Sequence, residues 1–335
     1  LACGRAPAPS DRPNFVVLLA DDLTCRDIGC YGGQAFTPNL DRLAAEGLRL
    51  TGCFQAAPMC SPTRSCLYTG LYPVKSGAYP NDSFAKPGTR SIVQALRPAG
   101  YRVALSGKFH VAPKEVFPFE LSKLADGPDF AAIERLMSES VESGTPFCLF
   151  VCSNEPHEPW TIRDPERYPE DGLVLPRYLA DTPETRSAYS RYLAEVTRFD
   201  EQVGRTLALL DELGLSSSTL VMALSEHGSS LPFGKWTLYD TGIQSACLVR
   251  WPGRVAPGSR SAPPRAAPSR TRHGADGAWA TSTGFPAGAR LGQRSDGTVN
   301  STCGCSDAPP YFAASAARSS ATTSDVSETT PPSAP

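Results

Sequence analysis

The 335-residue sequence predicts an α/β fold: a mostly parallel central sheet flanked by helices on both faces. Three observations carry that expectation. Short apolar, β-branched runs alternate with helical spacings, the runs read as buried strands, and ionisable residues follow the C-terminal ends of four of them.

The elements follow in chain order. Asn14–Ala20 reads as a buried strand that ends abruptly in Asp21-Asp22. Thr37-Pro38 then offers an N-cap and a first-turn proline, Leu40 and Leu43 give helical spacing, and Gly47 supplies the stop. Residues 91–96 suggest a helix and 101–105 a strand; residues 130–141 suggest a helix and Phe147–Cys152 a strand. The longest helical pattern places Tyr192, Val196, Phe199, Val203, Leu207 and Leu210 at steps of three or four, with Gly214 at its end. Residues 219–224 and 246–249 complete the strands.

In open sheets of this kind ligands gather outside the carboxyl ends of the strands. Asp21 and Asp22 follow the first strand, Lys108 and His110 the 101–105 strand, His157 the Phe147–Cys152 strand, and Glu226 and His227 the 219–224 strand. Taken singly, each residue reads as an ordinary turn, core or surface group. Four strands delivering ionisable groups to one rim read as a site. Adjacent carboxylates on an apolar strand are costly to hold unless a cation neutralises them. Asp21, Asp22 and Glu226 are hard oxygen donors, so the expected cation is Ca²⁺, with Mg²⁺ the alternative, ahead of zinc.

Composition divides the chain. Residues 259–335 contain no Lys or Ile, and of the Leu, Val and Phe set only Phe285, Leu291, Val299, Phe312 and Val326. That content falls far below the roughly 20% needed to bury enough apolar surface against the ordering entropy. Residues 12–258 are therefore the expected catalytic domain and 259–335 a disordered low-complexity tail, including His273, Cys303 and Cys305. The net charge of −2 shows no clustered basic excess, which excludes a nucleic-acid footprint. No apolar run approaches the roughly 20 residues of a membrane span. Leu1-Ala2-Cys3-Gly4 has the form of the end of a bacterial lipoprotein signal, so residues 1–11 read as a signal remnant or linker with a lipid anchor at Cys3. The expected location is periplasmic or extracellular. None of the eleven cysteines forms a C-x-x-C pair. Cys148 and Cys152 share a strand face and read as buried thiols, and Tyr189, Tyr192 and Phe199 as core rather than a sugar platform.

The segment Cys60-Ser61-Pro62-Thr63-Arg64-Ser65-Cys66-Leu67-Tyr68-Thr69-Gly70 resembles the C-x-P-x-R signature of formylglycine-dependent sulfatases; a tyrosine-phosphatase loop would space its Cys and Arg further apart. Pro62 suits a first helical turn, which puts Cys60 at the N-cap, where free N–H groups favour negative charge. Arg64 lies over the same face. Other segments resemble the family in order: residues 37–47, the helix before the signature; Gly107-Lys108-Phe109-His110-Val111 with Pro118-Phe119, similar to heparan N-sulfatases (sulfamidases); Pro156-His157-Glu158-Pro159; and Ser225-Glu226-His227-Gly228 with Lys235 beyond.

The resemblance implies an alkaline-phosphatase-like sulfatase fold and hydrolysis of a sulfate ester or N-sulfate on a sulfated glycan such as heparan sulfate. Its nucleophile would be a formylglycine made from Cys60 by a separate maturing enzyme. Asp21, Asp22, Glu226, His227 and residue 60 would ligate Ca²⁺ or Mg²⁺, and Arg64, Lys108 and Lys235 would bind sulfate oxygens. His157 or Lys235 would protonate the leaving group, and His110 would help expel sulfate. With the metal, these charges leave the site positive, which suits an anionic ester. Glu226 departs from the commoner Asp, and His227 is less suited to Ca²⁺ than an amide oxygen. The resemblance stops near Pro257, which predicts a missing C-terminal subdomain and a frameshift near Ser259. Two rival readings follow: a formylglycine hydrolase of phosphodiesters or phosphonates, and an inactive glycan-binding fragment.

Overall fold

A computed structural model describes residues 12–121 and 127–261. Cys3, His273, Cys303 and Cys305 lie outside these, as does most of the predicted tail.

The described residues form seven strands: β1 (Asn14–Ala20), β2 (Leu48–Phe54), β3 (Arg102–Gly107), β4 (Phe147–Cys152), β5 (Thr219–Ser225), β6 (Gln244–Arg250) and β7 (Ser259–Ser261). Their α-helices are α1 (Pro38–Glu46), α2 (Cys60–Thr69), α3 (Pro73–Ser76), α4 (Ile92–Leu96), α5 (Phe130–Ser143), α6 (Pro183–Glu212) and α7 (Asp240–Ile243). The strands make one sheet in the order β3-β4-β1-β5-β6-β2-β7. The four strands β3, β4, β1 and β5 are mutually parallel, so the loops after them emerge at one rim. Beyond β5 the sheet is mixed: β6 runs antiparallel to both β5 and β2, and β7 is parallel to β2.

The strand period of two explains the unbroken apolar run of β1. Val16, Leu18 and Ala20 join a core with Leu40 and Leu43 of α1, Ile133 and Met137 of α5, and Tyr192 and Phe199 of α6. Val17 and Leu19 face the other way, into a core with Tyr68 of α2 and Val93 of α4. Both faces are therefore covered, and every β1 side chain from Val16 to Ala20 is buried. Cys148 and Cys152 are buried free thiols, and Tyr189, Tyr192 and Phe199 are buried in the core.

Several elements differ from the sequence expectation. Strand β2 is not among the strands expected from the sequence; all its residues but Phe54 are half-buried, and its pairing with β6 shifts register between Leu50 and Cys53. Ser259–Ser261 pairs with β2, so the sheet runs three residues past the compositional break. Thr37 occupies the N-cap of α1 but makes no capping bond; its hydroxyl accepts from the Gly29 N–H (2.9 Å). Buried Asp200 of α6 caps α1 instead, accepting from Leu40 N (2.7 Å) and Asn39 N (3.1 Å). Helix α6 starts at Pro183, ahead of its first apolar stripe, with the Thr182 hydroxyl accepting from Thr185 N (3.2 Å).

Asp27 is a second buried acid, held by the hydroxyls of Tyr189 (2.7 Å) and Tyr192 (3.0 Å). Burial pushes its carboxyl up to about 6, against the two hydroxyl donations that lower it. The folded state thus holds this proton more tightly than the unfolded chain, and stability declines as pH rises through the interval from about 4 to 6. In an Asp27→Asn variant this dependence disappears. Its stability relative to the parent, measured by urea unfolding, is expected to rise by up to about 3 kcal/mol across that interval and then level off.

Candidate active site

The parallel strands deliver their charged residues to one point. Asp21 and Asp22 follow β1, Lys108 follows β3, and Glu226 and His227 follow β5. Ligand atoms of Asp21, Cys60, Glu226 and His227 all lie within 4.8 Å of one another, and those of Asp22, Cys60 and His157 form a second such group. All but His157 are buried. Two glycines allow this approach. A Cβ at Gly107 would stand 1.9 Å from the Cys152 carbonyl, and one at Gly228 would stand 1.7 Å from that of Thr241. Asp22 (φ 57°) and His110 (φ 46°) hold left-handed backbones, a strain of about 1–3 kcal/mol each that the surrounding contacts must offset.

Cys60 is the first residue of α2 rather than its N-cap, which is Met59. The cap bond comes from a distant loop: Asn81 Oδ1 accepts from Ser61 N (3.2 Å), and the Ser61 hydroxyl accepts from Asp82 N (2.8 Å). This leaves the Cys60 side chain free to point at Asp22 (Sγ to Oδ1 3.8 Å). Burial, reinforced by Glu226 and Asp21, pushes the thiol far above its ordinary range. Cys60 is thus a thiol among carboxylates and a poor thiolate nucleophile. The far half of α2 rests on aromatic packing, with Tyr68 edge-on to Phe119 (5.2 Å) and Phe150 (5.1 Å).

Each carboxylate has its own cation. Arg64, with no exposed surface, donates to the Lys108 carbonyl (2.8 Å) and pairs with Glu226. Its guanidinium is turned to that carboxylate. Lys108 pairs with Asp21, and Lys235 Nζ lies 2.9 Å from Asp22 Oδ2. Burial works against ionisation of Glu226, but Arg64 and the adjacent His227 ring outweigh it and hold the group well below the usual range. Asp21 is pushed up to about 6 by burial and by Glu226, despite Arg64 and Lys108. Burial also lowers Lys235, yet Asp22 and Cys60 more than compensate, so its ammonium persists.

Two of the histidines are oriented by backbone carbonyls. His227 Nδ1 lies 2.9 Å from Gly228 O and His157 Nδ1 2.6 Å from Glu158 O, assigning the N–H to Nδ1 in both. His157 Nε2 then accepts from Lys235 Nζ (3.2 Å). His227 Nε2 faces Glu226 Oε1 (3.2 Å) and Asp22 Oδ1 (3.5 Å), a position suited to a proton or a shared cation. His110 Nε2 meets Asp82 Oδ1 (2.6 Å), and burial lowers the pKa of the ring.

The donor set fits a divalent cation. Asp21 Oδ1, both Glu226 carboxylate oxygens and His227 Nε2 are buried without a hydrogen-bond partner among the described residues, although Arg64 is in ionic contact with Glu226. Asp21, Asp22, Glu226 and His227 are the residues placed to hold it, and their mostly oxygen character suits Ca²⁺ or Mg²⁺. The site also contains residues that sequence reasoning missed. Ser230 donates to Asp22 Oδ2 (2.7 Å) and stands beside the Glu226-His227 motif, a signal that could have found it. Asn81 and Asp82 sit in a loop with no local signal.

The protein is thus of the α/β class, with a metal-type cluster at the rim of its parallel strands. Residues 13–268 match the sulfatase family model, and the chain belongs to the sulfatase family. It is 31% identical over 271 residues to an ulvan-active sulfatase of Formosa agariphila, covering 77% of this chain and 52% of that protein. It is 30% identical over 282 residues to human N-sulphoglucosamine sulphohydrolase, covering 71% and 55%. The chain thus spans about half the length of these curated relatives. Among solved structures, a Bacteroides thetaiotaomicron protein of glycosaminoglycan metabolism superposes with a TM-score of 0.65 at 21% identity, covering 75% of this chain and 69% of that one. The phosphonate monoester hydrolase of Agrobacterium radiobacter gives 0.61 at 19% identity, covering 75% and 70%. Both share the alkaline-phosphatase-like fold.

Calcium at about one hundred times its dissociation constant is expected to raise stability by about 3 kcal/mol, or about 5–10 °C in melting temperature. In Glu226→Gln and Asp21→Asn variants this calcium-dependent increment should vanish in differential scanning calorimetry, whatever their baseline stability.

Proposed function

We propose that the site hydrolyses sulfate esters or N-sulfates of a sulfated glycan through a formylglycine derived from Cys60. The observation that carries this reading is the convergence of Asp21, Cys60, Glu226 and His227 within 4.8 Å, with Lys108 and Lys235 alongside. The sulfated-glycan names of the two curated relatives support the substrate class. Maturation by a separate enzyme is a two-electron oxidation by an external acceptor such as dioxygen: the C–S bond of the protonated Cys60 thiol breaks, sulfur leaves as sulfide, and a C=O bond forms, giving an aldehyde that hydrates.

A Ca²⁺ or Mg²⁺ held by Asp21, Asp22, Glu226 and His227 would supply positive charge that eases deprotonation of the hydrated residue 60. One hydroxyl of residue 60 attacks sulfur, an O–S bond forms, and the bond from sulfur to the sugar oxygen or nitrogen breaks. The departing atom takes its proton from the pair formed by Lys235 and His157, whose Nζ and Nε2 are 3.2 Å apart. Lys108, beside the pocket, neutralises sulfate oxygens, while Arg64 keeps Glu226 ionised. His110, held by Asp82, accepts the proton of the second hydroxyl as the C–O bond to sulfate breaks and the aldehyde re-forms. The exported location and the lipid anchor at Cys3 remain part of this proposal on sequence grounds.

A second reading, hydrolysis of phosphodiesters or phosphonates, is favoured by the phosphonate hydrolase neighbour. Matured protein is expected to cleave an aryl sulfate faster than an aryl phosphodiester, and the opposite order overturns the sulfatase reading. Cys60→Ala should lose roughly 10³-fold or more in kcat. Peptide mass spectrometry across residue 60 should find the aldehyde in active preparations and unmodified Cys in inactive ones.

A further inference from the structure

The cleft beside the metal-type cluster, about 700 Å³, has a second chemistry that the proposed reaction does not use. Lys108, His110 and His157 line it and suit an anion. Asn154, Glu155 and Glu195 line it as well, and these present hydrogen-bond acceptors. Glu195, on α6, is 1% exposed. Its Oε1 accepts from Thr161 N (2.6 Å) and Ile162 N (3.2 Å), fixing the loop after β4. Among the described residues its Oε2 has no hydrogen-bond partner, nor has the buried Oδ1 of Asn154. The carboxyl facing Glu195 is that of Glu155, which burial and its contact with Glu195 push up to about 7, so the pair keeps one proton near neutral pH and remains richer in acceptors than in donors. A buried carboxylate oxygen left without a donor costs about 1–3 kcal/mol or more, which a ligand donor in the cleft would recover.

We infer that Asn154, Glu155 and Glu195 form a sugar subsite that accepts hydrogen bonds from a hydroxyl or free ammonium group near the sulfated position and disfavours a second sulfate there. The subsite rests on the sulfate-binding role proposed above and gives that role a substrate class: sugars with one anionic group in the cleft and donor groups beside it. Glu195 is thus a specificity-determining residue, and its hold on the 161–162 backbone keeps the acceptor in register.

Isothermal titration of the unmatured chain with three probes tests this without needing Cys60 conversion. The parent protein is expected to bind glucosamine 6-sulfate more tightly than both inorganic sulfate and glucosamine 2-N,6-O-disulfate. Glu195→Gln retains the Oε1 acceptor for Thr161 and Ile162 but turns the second oxygen into a donor. It is expected to weaken glucosamine 6-sulfate about tenfold, inorganic sulfate less than twofold, and to narrow the gap to the disulfate. Asn154→Leu, which leaves the Glu195 contacts in place, should weaken the monosulfate several-fold. Equal changes for sulfate and glucosamine 6-sulfate, or no change for either, overturn the subsite. A parent protein that binds no sulfate overturns the proposed sulfate site instead. In that case unsulfated glucosamine still judges the subsite, since its binding must weaken in Glu195→Gln or the subsite is wrong.

Discussion

Three carboxylates buried at the rim of four parallel strands are the constraint around which this structure is arranged. Removing such charges from water costs several kcal/mol apiece unless cations accompany them. Here Arg64 comes from α2, Lys108 from the end of β3, and Lys235 from the loop after β5, so each carboxylate ties a different loop to the sheet. The charge balance and the shape of the site are one arrangement. Moving any of the three cations would leave a buried anion without compensation.

The same economy explains the unusual backbone around the site. Asp22 and His110 sit in the left-handed region, and Gly107 and Gly228 admit carbonyls where a side chain would collide. Helix α2 takes its cap from Asn81, so Cys60 can face the carboxylates rather than its own helix N–H groups. Beneath, Tyr68, Phe119 and Phe150 give α2 an apolar seat. The polar upper layer is held by a rigid lower one, which is how a site keeps its geometry to within fractions of an ångström.

Legibility followed burial. Strands β1 and β4 carry unbroken apolar runs because helices cover both faces, and their limits could be read directly. Half-buried β2 has no such signature, because its pairing with β6 depends on a partner almost 200 residues away. At α1 the sequence located the cap residue but not the capping bond, for a similar reason. Thr37 has the right chemistry, but the nearer competitor for its hydroxyl is Gly29 N–H, and Asp200 reaches Leu40 across the tertiary fold. In the site, residues adjacent to strand ends announced themselves, whereas Asn81 and Asp82 did not, since a polar loop residue looks the same whether or not it orients a histidine.

By itself the sequence determined the α/β class, the family, and the set of charged residues that meet at the rim, because strand ends and short motifs are local patterns. Only the tertiary structure decided which cation serves which carboxylate, that Arg64 faces Glu226, and that Glu195 lines the cleft. Those assignments depend on distances between residues far apart in the chain, and electrostatic partnership is settled by a few ångströms that no local pattern encodes.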